Sequence, residues 1–140
     1  RTFLGDILCF SNVQPAAPNI VVATPTGQHH ELGALIVAVA AASEGWRVNY
    51  LGVNLPSEEI AGAAGQAEAR VICLSLVFPA DDPKLIFEIK KLRRYLPKET
   101  TLIIGGHAAD AYGWHLEASD AMKIQNISEL LKKLKLLRLK

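Results

Sequence analysis

Two cysteines in 140 residues, Cys9 and Cys73, are too few for a disulfide framework. Cys73 lies inside an apolar run and reads as a small buried hydrophobe, so a reducing compartment, the cytoplasm, is the expectation. No apolar run approaches the roughly 20 residues that a bilayer span requires, which predicts no membrane partner. Neither sign of charge is in excess. Fifteen Lys and Arg against fourteen Asp and Glu leave a net charge of +1, so no strong pull toward nucleic acid or an acidic membrane is expected. The chain also lacks an internal repeat, a low-complexity tract, a Cys-x-x-Cys pair and a signal-peptide pattern. Arg1 is not a natural start, and the chain is expected to be a fragment of something longer. What is abundant is hydrophobic: half of all residues, enough for one domain with a full core.

Strand-like and helix-like stretches alternate along most of that chain. Strands are expected at Asn19–Ala23, Arg47–Leu51, Val71–Ser75 and Thr101–Ile104, with a weaker fifth at Ala121–Ile124. Between them, residues 32–44 place Leu32, Leu35, Ile36, Val39 and Ala40 on one helical face, and Gly45 ends the helix. Ser57 after Pro56 is expected to cap a helix running to about Ala69, with Glu58 and Glu59 in its first turn. Further helices are expected over residues 83–96 and 128–139, the last with a stripe of Leu130, Leu131, Leu134 and Leu137 opposite a solvated basic face. Strict alternation predicts an α/β fold, a flavodoxin-like (Rossmann-like) five-stranded parallel sheet of order 2-1-3-4-5 with helices on both faces. Residues 1–11 read as helical and 12–18 as a linker. The chain therefore divides into 1–17, the end of an upstream helical segment, and 18–140, the domain.

In such a fold ligands bind beyond the carboxyl ends of the strands, where the order reverses. Three segments lie there. Gln28-His29-His30-Glu31-Leu32-Gly33 follows strand one. Ser75-Leu76-Val77 comes after the 41 residues 34 to 74, and Gly105-Gly106 after the 27 residues 78 to 104. A histidine loop, a serine loop and a glycine pair, all on one sheet edge, suit one large ligand. Gly33 is demanded if the loop must pass into a helix against that ligand, since glycine permits such backbone approach. Ser75 offers a hydroxyl and Val77 an apolar wall, while Gly105-Gly106 leaves a gap with no side chains.

This three-part spacing resembles the cobalamin (vitamin B12)-binding domain family, whose signature reads Asp-x-His-x-x-Gly, then Ser-x-Leu, then Gly-Gly. Gln28 stands where the family has Asp, and Val77 where it has Leu. The resemblance implies that His30 is the lower axial ligand of cobalt, displacing the cofactor's dimethylbenzimidazole, whose nucleotide tail then threads into the domain past Ser75, Val77, Gly105 and Gly106. A neutral imidazole suits that metal. Gly27, His29, Glu31 and Leu32 would flank the corrin, and His107 would stand either at the nucleotide pocket or in a polar loop. Gln28 is placed to accept the second ring N–H of His30, but without a charge, which predicts a more easily released histidine than Asp would give.

The segments Pro18–Gly27 and His30–Gly33, with Gly45-Trp46-Arg47 and Tyr50-Leu51-Gly52, look most like the B12 domains of MerR-type light-sensing transcriptional regulators. That resemblance implies a binding and sensor module, not an enzyme, preceded in the full protein by a DNA-binding domain and a helical bundle. Cobalamin is its cofactor (adenosyl-, methyl- or hydroxocobalamin), and a light-dependent homo-oligomer is implied. A corrinoid methyl carrier, a mutase domain and, outside the family, an FMN or other nucleotide-binding module remain alternatives. A receiver domain would need an aspartate where Ser75 stands, and zinc would need four ligands that His29, His107 and His115 do not supply.

Overall fold

Residues 16–77, 82–112 and 119–139 are described by the computed structural model; the helix expected over residues 1–11 and His115 lie outside them. Strands β1 (Asn19–Pro25), β2 (Arg47–Leu55), β3 (Val71–Ser75), β4 (Thr101–Gly105) and β5 (Ala121–Lys123) form one sheet of order β2-β1-β3-β4-β5, with every neighbouring pair parallel. The helices are α1 (Leu32–Ser43), α2 (Ser57–Ala67), α3 (Pro83–Tyr95) and α4 (Ile127–Arg138). A 3-10 turn, Ala109–Tyr112, follows β4.

The two-residue repeat of a strand sorts the apolar side chains into two cores. Val21, Ala23, Ile72, Leu74, Leu102 and Ile104 meet α2 and α3 on one face. Ile20, Val22, Val71, Cys73 and Ile103 meet α1 and α4 on the other. Burial on both faces explains why β1 and β3 read as unbroken apolar runs, without alternation. Trp46 is fully buried in the second core, and its indole N–H donates to the Leu134 carbonyl at 3.3 Å, tying α4 to the segment that leads into β2.

Three local expectations are corrected. The buried residues of α1 are Ala34, Leu35, Ala38 and Ala41, whereas Leu32, Ile36 and Val39 are exposed. Helix α1 thus turns mainly alanines to the sheet, which small side chains allow at close range, and leaves Leu32, Ile36 and Val39 outside. Ser57 is not the cap of α2. Pro56 holds that position without a side-chain hydrogen bond, and the Ser57 hydroxyl donates to Glu58 Oε1 at 2.8 Å. Finally, β2 continues four residues past Leu51, because Gly52 (φ +112°) and Asn54 (φ +59°) let it bulge twice and still pair with β1 as far as Leu55.

Candidate functional site

The order 2-1-3-4-5 places β1 and β3 side by side in the sheet, so their following loops share one edge with the loop after β4. Hydrogen bonds join the three. Leu76 donates its N–H to the Gly105 carbonyl at 2.8 Å, and its own carbonyl accepts from Ala108 at 2.9 Å. Gln28, 2 % exposed, accepts the Val77 N–H on Oε1 at 2.8 Å. The histidine loop, the serine loop and the glycine pair are therefore one unit.

A cavity of about 220 Å³ opens between β3, β4, α1 and the start of α4. Gly33, Ser75, Gly105 and Gly106 line it, all four expected from the sequence. Ser75 is 5 % exposed, and among the described residues its hydroxyl has no hydrogen-bond partner. A Cβ on Gly33 would stand 2.9 Å from Ser75 Oγ, so glycine is what lets α1 begin against the serine. Gly106, at φ +106°, has a different reason. A Cβ there would meet the Leu76 carbonyl oxygen at 2.2 Å, so its missing side chain makes room for the serine loop's backbone.

Several expected residues stand outside the cavity lining. His29 and His30 are exposed on the loop above, Leu32 is 69 % exposed, and His107 is exposed after the glycine pair. Glu31 occupies the N-cap position of α1 without capping it, and its Oε2 accepts the Tyr50 hydroxyl at 2.5 Å. Gly27 adopts φ +89° and donates its N–H to Asn54 Oδ1 at 2.9 Å. Val77 contributes its backbone N–H to Gln28, and its side chain is not part of the cavity wall.

Sequence reasoning missed Ile36, Val37, Cys73 and residues 124–127, which line the cavity together with Leu74, Ile103 and Leu130. A signal for the last was present, since every strand's carboxyl end opens on this edge and β5 neighbours β4. Cys73 is buried, and loss of hydration pushes its thiol up to about 12 from an ordinary 9.0, so the cavity wall is neutral there. The site as a whole presents an apolar slot whose Ser75 hydroxyl is unpaired among the described residues, and two exposed imidazoles on the anchored loop that leads into α1.

The profile of the B12 binding domain family matches residues 18–126. The HTH-type transcriptional repressor CarA of Myxococcus xanthus is 40 % identical over 63 residues, which are 45 % of this chain and 22 % of that protein. Among solved structures, a cobalamin-binding protein from Desulfitobacterium hafniense DCB-2 superposes with a TM-score of 0.72 at 20 % identity, over 87 % of this chain and 60 % of that one. The monomethylamine corrinoid protein of Methanosarcina barkeri superposes with a TM-score of 0.71 at 16 % identity, over 97 % and 64 % respectively. This chain thus spans less than two thirds of each relative's length.

Proposed function

This chain belongs to the B12 binding domain family, and we propose that it holds cobalamin with His30 as the lower axial ligand of cobalt and the nucleotide tail in the Ser75 cavity. Cobalamin is the cofactor, and it would supply a cobalt centre able to take the His30 imidazole as a ligand and to carry an organic group or water.

The observation that carries the reading is the Ser75 hydroxyl. A buried hydroxyl without a partner costs about 1–3 kcal/mol, which few native sites tolerate without cause. Here it lines an apolar slot, where it would donate to the ring nitrogen of a benzimidazole held there. Size agrees with this assignment. Whole small-molecule ligands occupy roughly 300–1,000 Å³, so a slot of about 220 Å³ suits one arm of a larger ligand whose body remains outside. The body would lie over the loop bearing His30, flanked by Gly27, His29, Glu31 and Leu32.

The reading extends to a sensor domain of a B12-dependent, light-responsive transcriptional regulator. The 40 % identity with a segment of an HTH-type repressor supports it. On that reading a DNA-binding domain and a helical bundle precede these residues in the full-length protein, and the coding sequence upstream of Arg1 tests this directly.

Purified protein mixed with hydroxocobalamin should keep its colour through desalting, and Ser75→Ala should weaken retention while leaving the ligand-free fold as stable or more so. Retention of FMN without cobalamin would overturn the reading, and undiminished retention by Ser75→Ala would remove the tail from this cavity.

A further inference from the structure

Strands β1 and β2 run parallel but not in step. Val22 pairs with Tyr50, Ala23 with Gly52 and Pro25 with Leu55, so β2 uses one residue more than β1 at each of two steps. Gly52 at φ +112° and Asn54 at φ +59° stand at these two steps. Asparagine tolerates the left-handed region because its short amide can bond nearby groups. Here the amide bonds a loop 27 residues away.

Asn54 Oδ1 accepts the Gly27 N–H at 2.9 Å. The Asn54 N–H donates to Thr24 Oγ1 at 2.9 Å and to the Gln28 carbonyl at 3.0 Å. Thr24, fully buried, closes the set by donating its hydroxyl to the same Gln28 carbonyl at 2.6 Å. On the far side of the histidines, Tyr50 donates to Glu31 at 2.5 Å. The loop is thus anchored to β2 at Gln28 and at Glu31, and His29 and His30 are the two residues between those anchors. Bulges re-aim side chains next to functional sites, and this pair of bulges carries both anchors.

We propose that the bulged end of β2 is the frame that holds His30 for ligation, with Asn54 and Tyr50 as positioning residues. This rests on the assignment of His30 as the cobalt ligand. A loop ordered before the ligand arrives loses less conformational freedom on binding, so the frame would favour ligation of cobalt by the His30 imidazole.

Asn54→Gly keeps the left-handed backbone and its N–H while removing the carboxamide, and Tyr50→Phe removes one hydroxyl. Loss of a hydrogen bond of ordinary strength predicts roughly fivefold weaker ligation in each variant. Read from the absorption spectrum of bound cobalamin, imidazole release on acidification should then occur about 0.7 pH unit higher. In the ligand-free protein the Gly27 amide should exchange with deuterium faster in Asn54→Gly, with the melting temperature close to that of the parent. An unmoved release pH in both variants, with a parent whose spectrum shows bound imidazole, overturns the frame. A parent that retains cobalamin but never shows bound imidazole overturns the His30 assignment instead, and the frame with it.

Discussion

Gln28 Oε1 accepts the Val77 backbone N–H at 2.8 Å across 49 residues of sequence, so the histidine loop is fastened to the serine loop by a buried amide. That bond uses one lone pair of an oxygen that has two. The geometry thus gives Gln28 a structural duty beside the one proposed toward the His30 ring.

Gln28→Glu retains an acceptor for Val77 and adds a charge beside the imidazole. The more basic ring should hold cobalt longer, moving imidazole release to lower pH. Because the new carboxylate is buried, the ligand-free protein should lose stability near neutral pH, measurable by urea titration. An unchanged release pH would show that Gln28 serves Val77 alone.

His30→Ala and His29→Ala separate two adjacent imidazoles on one loop. With His30 removed, retention of cobalamin should be weaker but measurable, since the tail site proposed at Ser75 is left intact, and the spectrum should shift to the base-off form. His29→Ala should leave both nearly unchanged. The reverse result would place the ligand one residue earlier.

Gly106→Val would look, from the sequence, like a change that fills a binding gap without disturbing the fold. The contact with the Leu76 carbonyl and the positive φ change that expectation. Even Gly106→Ala should lower stability by more than the ~1 kcal/mol of an unstrained surface position. A denaturation midpoint equal to the parent's would show that the two loops separate freely.

Cys73 sets an alkaline limit. Its thiol ionises near 9.0 when unfolded and near 12 when buried, so between those values the unfolded chain binds fewer protons than the folded one. Stability is therefore fully present below pH 9 and falls by about 1.4 kcal/mol per unit above it. Cys73→Ala should flatten that part of the pH–stability curve, and the native thiol should resist iodoacetamide at pH 8.5. Rapid alkylation there would mean that the cavity opens to solvent.

The sequence by itself determined the alternation of strands and helices, the five-stranded order and the three loops on one edge. Each is local: an apolar run, a helical period or a glycine after a strand is legible within a few residues. It also marked Gly33, Ser75 and the glycine pair, because their spacing follows from strand order. The tertiary structure alone decided which side chains meet. Strand β1 lies between β2 and β3, so the loop after it takes partners from both, Asn54 and Tyr50 on one side and Val77 on the other. No periodicity announces a bulge in β2, since two positive-φ residues change where it points without changing its composition. The same holds for α1, whose apolar residues go nearly all round. Its buried face was set by how closely the sheet could approach, and alanine allows a closer approach than leucine.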